Sequence, residues 1–133
     1  MPASTLSPYK NNSNAVTFYL TSSSDKGALW LEAGRATNSP SWIEIQRKLT
    51  QPNAAANDHL VLRIGQTAPN ATTGKLSTQS ATLDISVPKD QTVLTKATLV
   101  DLLGLLVSLL NDVAANAATS TIRTALAEGR LIN

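Results

Sequence analysis

Residues 76–110 read LSTQSATLDISVPKDQTVLTKATLVDLLGLLVSLL, and the spacing of the apolar side chains changes inside that stretch. Before Pro88, Leu83, Ile85 and Val87 alternate with Thr82, Asp84 and Ser86, the period of two expected of a strand with one wet face. After it, Leu99, Leu102, Leu103, Leu106, Leu109, Leu110 and Val113 recur at three- and four-residue steps, which lays one apolar stripe along a helix. Pro88 itself has no N–H to give a ladder and suits the end of the strand. Thr95 is placed to cap the helix, its hydroxyl accepting from an otherwise unpaired first-turn amide. Asn116 to Ser120 then breaks the pattern. Ser120 is expected to cap a second short helix running to Glu128, and Gly129 to stop it.

Upstream of the junction the same alternation repeats in AVTFYL (15–20), ALWLEA (28–33), WIEIQRKLT (42–50) and HLVLRIGQT (59–67). The connectors TSSSDKG, GRATNSPS, QPNAAAND and APNATTGK supply turn residues each time. Strands joined by short polar loops pair in order, so the expectation is an α+β chain: an antiparallel meander of about five strands followed by two C-terminal helices. With 133 residues it is one domain. Within it, 14–33 is an N-terminal hairpin, 42–88 the central sheet and 95–129 the helices. Parity then divides the strands. Ile43, Ile45 and Leu49 oppose Glu44, Gln46, Lys48 and Thr50, while Leu60, Leu62 and Ile64 oppose His59, Val61, Arg63 and Gly65. Tyr19, Trp30 and Trp42 fall opposite the apolar parity of their strands, and packing is favoured for them over base stacking.

The composition narrows the chemistry. There is no Cys and one His, His59, so disulfides, zinc sites of the Cys/His kind and thiol catalysis are excluded, and no cofactor or metal is expected. Aromatic residues make up 4% of the chain and charged residues 15%, while Ser, Thr and Asn fill 39 positions. That is poor material for a deep ligand pocket and good material for turns and wet strand faces. Glu44 and Asp84 are too few for a glycosidase or calcium site. The sequons at Asn11 and Asn70 are expected by chance in so Asn- and Thr-rich a chain. No enzyme is expected. The net charge is +2, with no basic run of the kind that forms a nucleic-acid arm. The start is polar, and Leu99–Leu110 is too short to span a bilayer, so a soluble chain with no membrane partner is expected. A sheet apolar on one face, with a helix whose stripe is widened by Leu102 and Leu105, offers more apolar surface than one such chain easily covers. A second copy of the chain is the expected cover.

The order and spacing of these segments resemble the coat proteins of the small single-stranded RNA bacteriophages, the leviviral coat-protein family. The resemblance runs over about residues 14–129. It rests on AVTFYLTSSSDKGALWLEA as the N-terminal hairpin, WIEIQRKLTQPNAAANDHLVLRIGQTAP as the two central strands, and SATLDISVP as the last strand ending in proline before the long helix. The stretch between Ala33 and Trp42 is shorter than in the family's best-known members. The resemblance implies a capsid protein without catalytic activity, found in the virion and assembled in the cytoplasm of a bacterial host. It implies interlocked homodimers whose helices, through Leu99, Leu102, Leu103, Leu106 and Leu110, cross onto the partner's sheet. The dimers would build an icosahedral shell, with Pro69, Asn70, Thr72, Thr73, Gly74 and Lys75 as the inter-dimer loop. A minor maturation protein is a further expected partner.

The resemblance also turns the hydrophilic sheet face toward single-stranded genomic RNA. The residues expected to meet it are Gln46, Lys48, Thr50, His59, Arg63, Thr82 and Ser86, whose charges and hydroxyls suit phosphate, ribose and unstacked bases. A tyrosine that stacks on RNA in well-studied members is matched here by Ser80, and an early basic residue by Glu44, so a different RNA element is expected. The alternative reading is a small dimeric RNA-binding regulator that does not assemble.

Overall fold

The computed structural model describes residues 2–8, 14–51, 56–110 and 121–129. Its elements are β1 (Thr5–Leu6), β2 (Phe18–Ser24), β3 (Gly27–Glu32), β4 (Ser41–Lys48), β5 (Asp58–Pro69), β6 (Leu76–Val87), α1 (Lys96–Leu110) and α2 (Thr121–Ala127). The six strands form one antiparallel meander, paired in sequence order. The expected α+β plan holds, with one strand more than the pattern suggested. The chain divides into two compact units, Met1–Pro8 with Val16–Lys89, which holds the sheet, and Tyr9–Ala15 with Asp90–Asn133, which holds the helices.

In the first unit, Phe18, Trp30 and Ile43 are buried together, with Leu6, Val16, Leu20, Ala28 and Leu62 packed around them. This corrects the parity reading of Trp30. It stands on the apolar face opposite Leu20 and Ile43, and Leu29 and Leu31 take the other face. The register of β2 shifts between Leu20 and Ser22, a bulge that keeps Tyr19 and Ser22 on one side although they are three residues apart. Burying the Phe18 ring contributes about 1.5–3 kcal/mol, and Trp30 adds its indole N–H, which donates to the Ala3 carbonyl at 2.8 Å. That bond and Leu20 N–H to the Ser4 carbonyl at 2.9 Å draw the N-terminal segment alongside β2 as β1. Gly27 answers a second constraint, because a Cβ there would collide with the Ile45 backbone oxygen on β4. Farther along the apolar face the cover thins: Ile45 is 36% and Ile64 44% exposed.

Two local devices close the connections. Between β5 and β6, Asn70 accepts from Thr72 and Thr73 N–H through Oδ1 at 2.9 and 3.0 Å, and its own N–H donates to the Lys75 carbonyl at 2.8 Å. Gly74, with φ at 69°, takes the left-handed position of this turn. Between β4 and β5, Asp58 Oδ1 accepts from Thr50 N–H at 2.9 Å and from the Thr50 hydroxyl at 3.0 Å. Lys89 Nζ adds an ion pair to Asp58 at 3.3 Å and donates to the Thr50 carbonyl at 3.0 Å. These donors, the Thr50 amide foremost, hold the Asp58 carboxyl below its ordinary range.

In the second unit, Thr95 caps α1 as expected: Thr98 N–H donates to its hydroxyl at 3.5 Å, and the Thr98 hydroxyl donates to its carbonyl at 2.7 Å. Asp90, ahead of the helix, accepts from Thr92 N–H at 3.0 Å, which lowers its pKa. No residue of α1 is buried. Leu99, Leu103, Leu106 and Leu110 are half-buried, whereas Leu102 is 61% and Leu105 68% exposed. Gly129 ends α2 with φ at 65° and donates to the Leu126 carbonyl. The expected break at 116–120, with its Ser120 cap, and the sequon at Asn11 lie outside the described residues.

Candidate nucleic-acid interface

The hydrophilic sheet face is assembled by the register of β4, β5 and β6. Successive rows across these strands are Lys48–His59–Ser86, Gln46–Val61–Asp84, Glu44–Arg63–Thr82 and Trp42–Gly65–Ser80, with Thr67–Thr78 beyond them. The sheet extends this face to Leu29 and Leu31 on β3 and Tyr19 on β2. Six of the seven residues expected to meet RNA therefore share one surface: Gln46, Lys48, His59, Arg63, Thr82 and Ser86. Thr50 stands apart. It lies beyond the end of β4, its amide donates to Asp58, and its hydroxyl lies 3.0 Å from both Asp58 Oδ1 and the Ala56 carbonyl.

The charges on this face are largely paired. Arg63 Nη1 lies 3.8 Å from Glu44 Oε2, and the other Glu44 oxygen accepts from Gln46 Nε2 at 2.6 Å. His59 Nδ1 lies 2.6 Å from Asp84 Oδ1. Lys48 makes no ion pair with a described residue, so it presents the unshared cation of the central rows. Hydroxyls fill the rest. Thr67 and Thr78 share a hydrogen bond at 2.8 Å, and Ser86 accepts from Asn57 Nδ2 at 2.8 Å. Val61 is buried among these polar neighbours. Among the described residues no group of three or more Asp, Glu or His converges as a metal site. The same residues contain no helix long and apolar enough to cross a membrane.

Sequence reasoning favoured packing for Trp42 and did not connect it with Gly65. Trp42 shares the parity of Glu44, Gln46 and Lys48, and its ring covers the backbone of Gly65. A glycine inside the otherwise branched and charged run LVLRIGQT is a signal of close approach, and here what approaches is the indole.

The inter-dimer loop residues Asn70, Thr72, Thr73, Gly74 and Lys75 form the closed β5–β6 turn, and Pro69 ends β5. Of the helix residues expected at the dimer interface, Leu99, Leu103, Leu106 and Leu110 lie half-buried and Leu102 exposed, as described above.

Comparison with solved structures identifies the architecture. The chain of the virus-like particle of bacteriophage AVE019 superposes with a TM-score of 0.74 over 100% of this chain and 99% of that one, at 10% identity. The virus-like particle of Beihai levi-like virus 21 gives 0.75 over the same shares at 10% identity, and that of bacteriophage ESE020 gives 0.70 over 98% and 99% at 14%. The chain thus shares its fold with the subunits of these virus-like particles. More narrowly, the six-strand meander followed by C-terminal helices has the fold of a chain solved in the particle of a levi-like virus. No family model and no curated protein sequence matches the chain.

Proposed function

We infer that the chain is the major capsid protein of a single-stranded RNA phage. The observation that carries this reading is the likeness in fold, over essentially the whole of both chains, to proteins solved as virus-like particles. The chain forms interlocked homodimers, the dimers close into an icosahedral shell, and the hydrophilic face contacts genomic RNA. Three features support the reading. The exposed Ile45 and Ile64, with Leu102 and Leu105 of α1, offer apolar surface of the kind that subunit interfaces bury. The last strand, β6, is twelve residues long and has no strand beyond it among the described residues. The face with Lys48, Arg63 and a field of hydroxyls provides phosphate and ribose partners. The protein acts in the virion, assembled in the cytoplasm of a bacterial host with a minor maturation protein, and it has no catalytic role.

The test is electron microscopy of the expressed protein together with its 260/280 nm absorbance ratio. Uniform particles with nucleic-acid absorbance are expected. Dimers that bind RNA but never form particles would favour a non-assembling regulator instead. Deleting Asn70–Gly74 should abolish particles and leave dimers, and intact shells from the deletion would overturn the role given to that turn.

A further inference from the structure

The row Trp42–Gly65–Ser80 crosses the hydrophilic face next to Glu44–Arg63–Thr82. A Cβ built on Gly65 would lie 2.5 Å from Cζ2 of Trp42 and 2.9 Å from both Cε2 and Cη2. Those flanking atoms are equally far and only slightly farther than Cζ2, as for a point above the ring and not at its edge. The indole therefore lies flat on β5, one π-face against the glycine. Trp42 is only half-buried, and its Nε1–H has no hydrogen-bond partner among the described residues and is not sealed from solvent. Rows of charge and hydroxyl flank the ring: Glu44, Arg63 and Thr82 on one side, Thr67 and Thr78 on the other. An aromatic plane lying flat on a sheet, bordered by a guanidinium and by hydroxyls, matches the chemistry that receives unstacked nucleobases. The core of a protein–protein patch would instead be depleted of charge around the ring.

We propose that Trp42 is a base-stacking platform for single-stranded RNA, with Arg63 beside it for the adjoining phosphate and with the small Ser80 at the end of the row leaving space for a base. This rests on the reading of the hydrophilic face as the RNA surface. Gly65 is a positioning residue, since it determines the tilt of the ring. Stacking of this kind tolerates any base, so it adds affinity and not sequence preference.

The test is titration of the full chain with a short oligoadenylate, read by tryptophan emission and by filter binding. Trp30 is sealed in the core and supplies a constant background. Emission should be quenched in step with binding, and the quench should vanish in Trp42→Phe, which keeps most of the affinity. Trp42→Ala should weaken binding by about 5- to 100-fold. Gly65→Ala, which displaces the ring, should weaken binding and reduce the quench. If Trp42→Ala fails to fold, the wild-type quench and its loss in Trp42→Phe still decide the matter. Binding with unchanged emission and equal affinity in Trp42→Phe and Gly65→Ala would overturn the platform and leave the RNA face standing. Absence of RNA binding by the wild type would overturn both. A blue shift of Trp42 emission with protein concentration alone would make the ring a contact between copies and overturn the proposal.

Discussion

Glu44 determines how much positive charge the hydrophilic face can offer, because its carboxylate sits between Arg63 and Gln46. Glu44→Gln should release Arg63 and tighten RNA binding by about two- to five-fold at low salt, the scale of an exposed ion pair. Lys48→Ala should weaken binding across sequences and lower the slope of log affinity against log salt by about one. Both are read by filter binding over a salt series. At Gly27 the test is stability: Gly27→Ala forces a Cβ onto the Ile45 carbonyl and should cost about 1–3 kcal/mol in urea unfolding. The residue scale is also where sequence reading fell short. ALWLEA is apolar on both parities, so nothing in it says whether Trp30 or the Leu29–Leu31 pair faces the core. The bulge at Thr21 and the tertiary contact with Phe18 decide that, and neither is a property of the hexamer. Across β4, β5 and β6 the alternation was regular enough for parity alone to place Gln46, Lys48, His59, Arg63, Thr82 and Ser86 on one face. Thr50 was misplaced because the strand ends at Lys48, where the Asp58 carboxylate captures the chain.

Among the elements, β6 and α1 were readable because each is long enough for its period to declare itself, and Thr95 supplied a capping hydroxyl where one was expected. β1 was not. Two residues carry no period, and the strand exists because the Trp30 indole and the Leu20 amide take the carbonyls of Ala3 and Ser4. The β5–β6 turn was recognised as a loop from its Asn, Thr and Gly, but its internal order comes from one side chain. Asn70→Ala removes the acceptor for the Thr72 and Thr73 amides, each bond worth about 0.5–1.5 kcal/mol. Hydrogen exchange at those two amides should quicken while the β5–β6 ladder stays protected, and Asn70→Asp should restore most of the protection. Equal exchange in wild type and Asn70→Ala would show that the backbone bonds alone hold the turn.

At the scale of the molecule, the Asp58–Thr50–Lys89 clasp ties the β4–β5 connector to the residue that follows the sheet. The folded Asp58 carboxyl titrates below its ordinary value of 3.8, so its contribution to stability is full above that pH and is lost as the pH falls below it. Asp58→Asn should therefore show a shallower fall in Tm than wild type on acidification below about pH 4, and a parallel course above about pH 5. Identical profiles would mean that the clasp carries no acid sensitivity.

The two margins of the sheet are unequal, and that inequality governs how many copies can add to one another through strands. On one side a two-residue β1, fastened through Ala3 and Ser4, covers part of β2 and offers almost no ladder. On the other, the outer edge of β6, twelve residues long, has no strand beside it among the described residues. Two long open margins would let copies add head to tail without end, as in a fibre. With one margin short and blocked, addition through β6 uses up the long edge of both partners at once and stops at a pair. Such a pair is symmetric about its joint and has no long edge left for a third chain. Any larger object must then grow through loops and helices, whose contacts can bend and so can close on themselves.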